Sequence, residues 1–313
     1  MVEQKTDARR QMPEDRSQKI EDRKQKKEDR MRIIIDIKEM KKFAQEARER
    51  GQSIGFVPTM GYLHRGHLSL MEAAREQNDL LAVSVFVNPA QFGPNEDFQR
   101  YPRDLAADSV KAAGAGVDAL FCPELKDMYP AGYVSYVEPE GLSERLCGFS
   151  RPGHFRGVCT VVLKLFNIVQ PQRAYFGQKD AQQFIILKRM AKDFDLDIEM
   201  VRLPIVREAD GLAMSSRNVY LKAEERQQAL ALFCALEEAK RLFAAGARDA
   251  AEICLAVRAK LANATLGRLD YAKLVDLENL LPLERLDKPA LLALAMYFGQ
   301  TRLIDNTILG DAQ

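Results

Sequence analysis

The sequence is poor in cysteine, in long apolar runs and in net charge, and each shortage excludes a class of protein. Five cysteines are spread over 313 residues and never form a Cys-x-x-Cys pair. This spacing argues against a disulfide framework or a structural zinc site and favours the reducing cytoplasm. No apolar stretch approaches the roughly 20 residues that span a bilayer, and we expect no apolar leader at the N-terminus. The 46 basic and 45 acidic side chains give a formal net charge of +1, so we expect neither a nucleic-acid partner nor a membrane partner.

The first 30 residues differ in composition from the rest of the chain. They hold ten basic and eight acidic side chains and no aromatic residue. Such a segment cannot bury enough apolar surface to offset the entropy lost on ordering. We therefore predict that residues 1–30 form a charged, disordered tail. The whole chain is 47% hydrophobic, which is enough for a substantial core in one large or two medium domains.

Beyond the tail, short β-rich runs alternate with helical stretches. The run Leu80–Val87 is nearly all apolar, which is typical of a central strand that is covered on both faces of a parallel sheet. This alternation predicts an α/β fold with a Rossmann-like, doubly wound parallel sheet over residues 31–206, whose ligands lie at the carboxyl ends of the strands. Two amphipathic helices, over residues 223–245 and 249–264, and three strand-like segments, over residues 271–275, 290–298 and 301–304, then predict a smaller C-terminal α+β domain over residues 207–313.

The segment Phe56–Leu68 is the strongest functional signal. An apolar strand breaks at Pro58 and Gly61, and a helical pattern resumes near His67. A helix N-terminus carries about half a unit of positive charge, and its free N–H groups suit a phosphate chain. His64 and His67 could donate hydrogen bonds there, although they could also be ordinary loop histidines.

Three further loops follow predicted strands or join the two domains. Asn88 and Gln91 come after the strand at Leu80–Val87; they could hold a small polyhydroxy acid, or they could be a turn residue and a solvated side chain. Gly177–Asp180 places a glycine beside Lys179 at a helix start, which again suits a phosphate. The run Ser215–Arg217 offers hydroxyl and guanidinium donors, and the serines could also cap a helix.

The loop Arg151–Gly157 leaves two interpretations open. His154 and the two guanidinium groups could bind a carboxylate, or the histidine could be structural.

Taken in order, these motifs resemble those of the pantoate–β-alanine ligase family. The resemblance runs from about Met31 to the C-terminus. A His-x-Gly-His signature alone would also fit nucleotidylyltransferases and class I aminoacyl-tRNA synthetases, whereas the full set is far more specific. The motifs that carry it are Pro58–His67, Val87–Gly93, Arg151–Phe155, Gly177–Asp180 with Gln182 and Gln183, and Asp210–Asn218.

The resemblance implies an ATP-dependent ligation of (R)-pantoate with β-alanine through a pantoyl adenylate, giving pantothenate, AMP and pyrophosphate. It implies Mg²⁺ on the triphosphate, with no residue of the chain assigned as a metal ligand, and a homodimer formed through the N-terminal domain. His67 would be the catalytic proton donor and His64 its phosphate-binding companion. Gln91 and Gln183 would hold pantoate, and Gln91 would also lie near β-alanine. The ATP site would comprise Met60, Gly61, Tyr62, Leu63, His64, Arg65, Gly66, His67, Gly177, Gln178, Lys179, Asp180, Val206, Met214, Ser215, Ser216 and Arg217.

The available residues agree with that chemistry. Adenylation requires donors for the charge that accumulates on the departing pyrophosphate, and it requires no covalent nucleophile. The catalytic donors we expect are His64, His67, Lys179, Ser215, Ser216 and Arg217. Two alternatives remain: a nucleotidylyltransferase that moves AMP to a phosphorylated substrate, and a regulator that binds a nucleotide without turnover.

Overall fold

The computed structural model describes residues 31–94 and 96–310. The predicted tail, residues 1–30, lies outside this range. The larger sheet has six parallel strands in the order β1-β4-β3-β2-β5-β6. Its strands are β1 (Arg32–Ile34), β2 (Ile54–Thr59), β3 (Leu80–Val85), β4 (Ala119–Phe121), β5 (Arg173–Gly177) and β6 (Glu199–Leu203).

Helices cover both faces of this sheet, as a doubly wound fold requires. On one face, α1 (Ile37–Glu49), α6 (His154–Val169) and α7 (Ala181–Asp193) pack into the largest apolar cluster. On the other face, α2 (Arg65–Gln77) and α3 (Leu105–Gly114) pack into a second cluster. Two short helices, α4 (Leu125–Met128) and α5 (Cys147–Ser150), lie in the connection that leads to α6. None of the helices in the described ranges is long and apolar enough to cross a membrane.

The strand order reverses between β2 and β5, which pair although more than 100 residues separate them in sequence. Connections leave a doubly wound sheet in opposite directions at such a point, and a crevice opens at the carboxyl ends of the two strands. The strand β3, predicted as central from its apolar run, lies inside the sheet between β4 and β2. The loops that follow β2 and β5 therefore share one crevice.

The C-terminal residues form a second sheet. Its antiparallel strands are β7 (Gly267–Asp276), β8 (Ala290–Phe298) and β9 (Thr301–Leu309), in that order. One face packs against α9 (Ala231–Ala244) and α10 (Ala250–Leu261). Side chains of the other face, including Tyr271 and Ala293, join the largest cluster of the parallel sheet. The α+β character predicted for this region is confirmed.

Element boundaries differ from the sequence-based expectation most clearly in two places. The helix expected over residues 223–245 is divided into α8 (Ala223–Gln228) and α9. The strand expected over residues 301–304 extends to Leu309, because it pairs with β8 along its whole length.

One close approach between backbones fixes the loop after β3 against α6. A Cβ built on Gly157 would lie 2.1 Å from the carbonyl oxygen of Ala90. Real Cβ atoms do not approach a backbone oxygen so closely, so this helical position requires glycine.

We expect Gly157→Ala to destabilise the protein by about 2 kcal/mol, because α6 or the loop at Ala90 must move to admit the methyl group. The matched control is Gly114→Ala at the end of α3, where an added Cβ meets nothing within 4 Å. That change should stabilise the fold by about 0.5 kcal/mol by restricting the unfolded chain. Urea unfolding of both variants measures the two effects, and equal stabilities would contradict the close approach.

Candidate active site

The turn after β2 is held in shape by side chains from neighbouring elements. Gly61 and Tyr62 have positive φ angles of 83° and 51°. The buried carboxylate of Asp108 on α3 accepts hydrogen bonds from the backbone N–H groups of Tyr62 and Leu63, each at 2.7 Å. These two bonds stabilise an otherwise strained turn and direct the chain into α2.

The two predicted imidazoles stand side by side at the start of α2. His64 is the N-cap residue, and its Nδ1 accepts the backbone N–H of Gly66 at 3.1 Å. The Nδ1 of His67 accepts the backbone N–H of His64 at 3.2 Å, and the ring centroids lie 4.0 Å apart. A Cβ on Gly66 would lie 2.9 Å from Cε1 of His64, so the glycine makes room for the ring.

This arrangement determines where each neutral ring carries its proton. Because both Nδ1 atoms act as acceptors, a neutral imidazole must hold its proton on Nε2. Burial is the main cause that lowers the pKa of His64 to about 4, and the neighbouring Lys179 lowers it further. Burial also lowers the pKa of His67 well below its usual value, with added contributions from His64 and Lys179. Near pH 7 the pair is therefore neutral, with two Nε2–H donors.

A cavity of about 230 Å³ opens beside this pair at the carboxyl ends of β2 and β5. It brings together residues from all the predicted motifs. The predicted residues that line it are Met60, His64, Gly66, His67, Gln91, Gly177, Lys179, Asp180, Gln183, Val206, Met214, Ser215, Ser216 and Arg217. Five predicted ATP-site residues are not in its lining: Gly61, Tyr62, Leu63, Arg65 and Gln178. Of these, Arg65 is exposed and pairs with Glu72.

Ser215 and Ser216 serve the local structure as well as the cavity. Ser215 caps a 3₁₀ turn by accepting the N–H of Arg217 at 3.3 Å, and the Ser216 hydroxyl donates to the carbonyl oxygen of Tyr62 at 3.3 Å. Arg217 forms a bidentate ion pair with Asp97 through Nε and Nη2, both at 2.9 Å. This pairing leaves the Nη1 group of Arg217 for a ligand.

Gln91 and Gln183 give the cavity two amide groups. Gln91 is buried, and its Nε2 lies 3.1 Å from the sulfur of Met60. Gln183 projects from the first turn of α7 and also lines the cavity. Around them the wall is apolar, with contributions from Phe86, Val158, Val161, Val162, Leu165 and Phe176.

Comparisons with known proteins identify the family. A family model described as pantoate-beta-alanine ligase matches residues 32–308. The chain belongs to the pantoate–β-alanine ligase family. It is 57% identical over 280 residues to the pantothenate synthetase of Thermotoga petrophila, covering 90% of this chain and all of that protein. It is 58% identical to the pantothenate synthetase of Pelotomaculum thermopropionicum, covering 88% of this chain and 98% of that protein.

Solved structures agree with this assignment. The crystal structure of pantothenate synthetase from Thermus thermophilus matches with a TM-score of 0.84 and 47% identity, covering 88% of this chain and 99% of that one. A pantoate-beta-alanine ligase from Francisella tularensis, complexed with beta-gamma ATP and beta-alanine, matches with a TM-score of 0.74 and 36% identity over 90% of this chain and 99% of that one. The family, the Rossmann-like fold and the ligase function expected from the motifs are confirmed.

Sequence reasoning missed several residues that support the site of this ligase. Asp108 holds the turn before His64, and Asp97 holds Arg217. Asn306 on β9 donates from Nδ2 to the carbonyl oxygens of Gln178 and Lys179, both at 2.9 Å, and so fixes the loop after β5. A lone acidic or amide residue gives no pattern in the sequence, because its partner is distant along the chain.

The loop at Arg151–Gly157 supports the site and does not present a free carboxylate receptor. Arg151 forms a bidentate ion pair with Glu96 at 2.7 and 2.6 Å. His154 is buried; its Nδ1–H donates to the carbonyl oxygen of Gln91 at 2.8 Å, and its Nε2 accepts from Arg151 at 2.9 Å. The structural interpretation of His154 is the one that these contacts support.

Gln182 belongs to the same family motif as Gln183, but it does not line the cavity beside the imidazoles. Its amide accepts from the backbone N–H of Cys147 and donates to the carbonyl oxygens of Leu142 and Arg145. Gln182 therefore anchors the connection that leads to α6. Across residues 31–94 and 96–310, no group of three or more His, Cys, Asp or Glu side chains could hold a metal ion.

We expect none of the three histidines to titrate near pH 6.5. Burial and the adjacent Arg151 lower the pKa of His154 to about 3, and the pKa of His64 is lowered to about 4. Because these values are lower in the folded state than in the unfolded state, the stability contribution is complete above pH 6.5 and is lost as the pH falls towards 4 and 3. Within that range, each histidine lowers the free energy of unfolding by up to about 1.4 kcal/mol for every pH unit of acidification.

NMR titration of the imidazole protons measures this directly, since the chain has only three histidines. Urea unfolding at pH 7.5 and 5 measures the accompanying loss of stability. A ligand-free protein whose His64 or His154 titrates at its ordinary value would contradict the buried, neutral state.

Proposed function

We propose that this ligase works in two steps, with a pantoyl adenylate as the intermediate. A carboxylate oxygen of (R)-pantoate attacks the α-phosphorus of ATP, and pyrophosphate leaves. The amine of β-alanine then attacks the acyl carbon, and AMP leaves with the bridging oxygen. The observation that carries this proposal is the pair of neutral imidazoles with Nε2–H donors beside Lys179, at the crevice where the strand order reverses.

The first step depends on donors aimed at the departing pyrophosphate. His67 acts as the proton donor through Nε2, and His64 donates to an adjacent phosphate oxygen. Lys179, Ser215 and Arg217 line the same cavity and supply further donors, and the Ser216 hydroxyl joins them when it exchanges its bond to Tyr62 for one to a phosphate oxygen. Fixed donors of this kind stabilise developing charge without any reorganisation during the reaction.

The second step depends on position and on the exclusion of water. A mixed anhydride hydrolyses if water reaches it, and the wall formed by Phe86, Val158, Val161 and Leu165 is apolar. Gln91 and Gln183 hold pantoate, and Gln91 also contacts β-alanine. Alignment of the β-alanine amine with the acyl carbon then supplies most of the rate increase of the second step.

Mg²⁺ enters as part of the substrate, MgATP. Asp180 lies beside Lys179 in the cavity lining, with 3.6 Å between the carboxylate oxygen and Nζ. A carboxylate at this place suits a cation that already carries phosphate ligands and waters.

Residues 207–313 act as a lid over the nucleotide. Asn306 bonds to the loop at Gln178 and Lys179, and Arg207 forms a bidentate pair with the buried Asp305 at 2.7 and 3.0 Å. The Asn306 bonds join the C-terminal sheet to the loop after β5, and the Arg207–Asp305 pair joins it to the segment that follows β6.

The cytoplasmic homodimer implied by the family forms through the N-terminal part of the chain. The edge strand β1 leaves Ile33 about half exposed, and Ile35 just after it is equally exposed. An edge strand with exposed apolar side chains is suited to association.

We expect His67→Ala to lower kcat at least about a hundredfold, because a preorganised donor to the leaving pyrophosphate is lost. AMP formation with ATP, pantoate and β-alanine measures the rate. The matched control is Glu76→Gln, an exposed change on the same helix, which should keep the wild-type rate. An unchanged kcat in His67→Ala would remove His67 from the mechanism.

We expect ¹⁸O from the pantoate carboxylate to appear in AMP. One labelled oxygen bridges the acyl carbon and phosphorus in the adenylate and leaves with AMP, while the other stays in the amide carbonyl. Mass spectrometry of both products measures the transfer. Pyrophosphate release that does not depend on pantoate, or AMP without label, would favour the nucleotidylyltransferase or another route.

A further inference from the structure

The side chain of Gln91 is oriented by a residue that does not touch the cavity. Its Oε1 accepts a hydrogen bond from Nδ2 of Asn88 at 3.1 Å. Asn88 is almost fully buried, and its Oδ1 accepts from the hydroxyl of Tyr129 at 2.8 Å. Tyr129, at the end of α4, is not part of the cavity lining.

The contacts of Asn88 allow only one orientation of its amide. Nδ2 also donates to the carbonyl oxygen of Gly157 at 3.1 Å, and Oδ1 also accepts the backbone N–H of Ala90 at 3.3 Å. If the amide were flipped, its oxygen would face the carbonyl oxygen of Gly157 and its NH₂ group would face the backbone N–H of Ala90. Neither pair could form a hydrogen bond. All four hydrogen-bonding positions of Asn88 are therefore used.

This orientation decides what Gln91 offers to a ligand. Because Oε1 is occupied by Asn88, the NH₂ group of Gln91 faces the cavity beside the sulfur of Met60. An amide NH₂ attracts a carboxylate or hydroxyl oxygen, whereas an amide oxygen in the same place would repel a carboxylate.

Tyr129 is suited to act as a fixed donor. Its ring packs edge-on against Tyr133, with centroids 5.0 Å apart, and lies beside Phe86 at 6.5 Å. Burial raises the pKa of Tyr129, so its hydroxyl keeps its proton throughout the pH range in which enzymes work.

We propose that Tyr129 is a positioning residue for the acid substrate: through Asn88, its hydroxyl holds the amide of Gln91 with the NH₂ group turned towards pantoate. This proposal rests on the proposed function, which places pantoate at Gln91. Without the hydroxyl, Asn88 Oδ1 keeps a single long bond to Ala90, and the amides of Asn88 and Gln91 lose their fixed orientation.

The test is Tyr129→Phe, which keeps the ring and removes only the hydroxyl. We expect KM for pantoate to rise about tenfold, the effect of one net hydrogen bond, while KM for ATP stays at its wild-type value and the thermal midpoint falls by only about 3 °C. The control is Tyr133→Phe in the same aromatic cluster, whose hydroxyl has no hydrogen-bond partner among the residues described. This variant should match the wild type for every substrate.

A double-mutant cycle separates positioning from a general structural effect. If Tyr129 acts through Gln91, then Tyr129→Phe has no further effect on KM for pantoate once Gln91→Ala is present. Additive effects of the two changes, or equal increases in KM for ATP and pantoate, would overturn the proposal.

The cycle also separates this proposal from the function on which it rests. If Gln91→Ala leaves KM for pantoate unchanged, the assignment of pantoate to Gln91 fails. If Gln91→Ala raises it strongly and Tyr129→Phe does not, only the positioning role fails. Should Tyr129→Phe fold poorly, Asn88→Asp tests the same chain, because a carboxylate oxygen would replace the donor to Gln91; a wild-type KM for pantoate there would also overturn it.

Discussion

The site depends on two backbone N–H groups that donate to imidazole nitrogens. The N–H of Gly66 binds Nδ1 of His64, and the N–H of His64 binds Nδ1 of His67. These bonds use donors that a helix N-terminus leaves without partners, and they set the tautomer of both rings. The same two hydrogen bonds therefore fix the positions of the rings, the nitrogen that carries each proton and the residue at which α2 begins. Asp108 maintains it from α3 by fixing the turn that precedes His64.

Local patterns in the sequence were sufficient to predict the parts of the site that lie within one segment. Two segments show this: the strand, turn and helix around His64 and His67, and the loop at Gly177–Asp180. In each, the order of apolar, glycine and polar residues follows from the backbone conformation of that segment alone. The parallel sheet was predictable for the same reason, since the run at Leu80–Val85 is apolar because helices cover both faces. The family resemblance added the reaction.

Contacts between distant segments could not be predicted from these patterns. The pairing of Arg217 with Asp97 spans 120 positions, and that of Asn306 with Lys179 spans 127. Gln182 illustrates the reverse difficulty, because its amide is consumed by backbone groups while the adjacent Gln183 lines the cavity. Neighbouring residues on a helix point in different directions, and only the packing around them shows which one is available.

The acidic pair Glu96 and Asp97 limits the insertions and deletions that its loop can tolerate. These adjacent carboxylates hold Arg151 and Arg217, which both line the cavity. An insertion or deletion in this loop would shift both guanidinium groups at once, and through His154 it would also shift the backbone of Gln91. The length of a single loop thus constrains, at the same time, the position of two arginines and of the amide that lines the cavity.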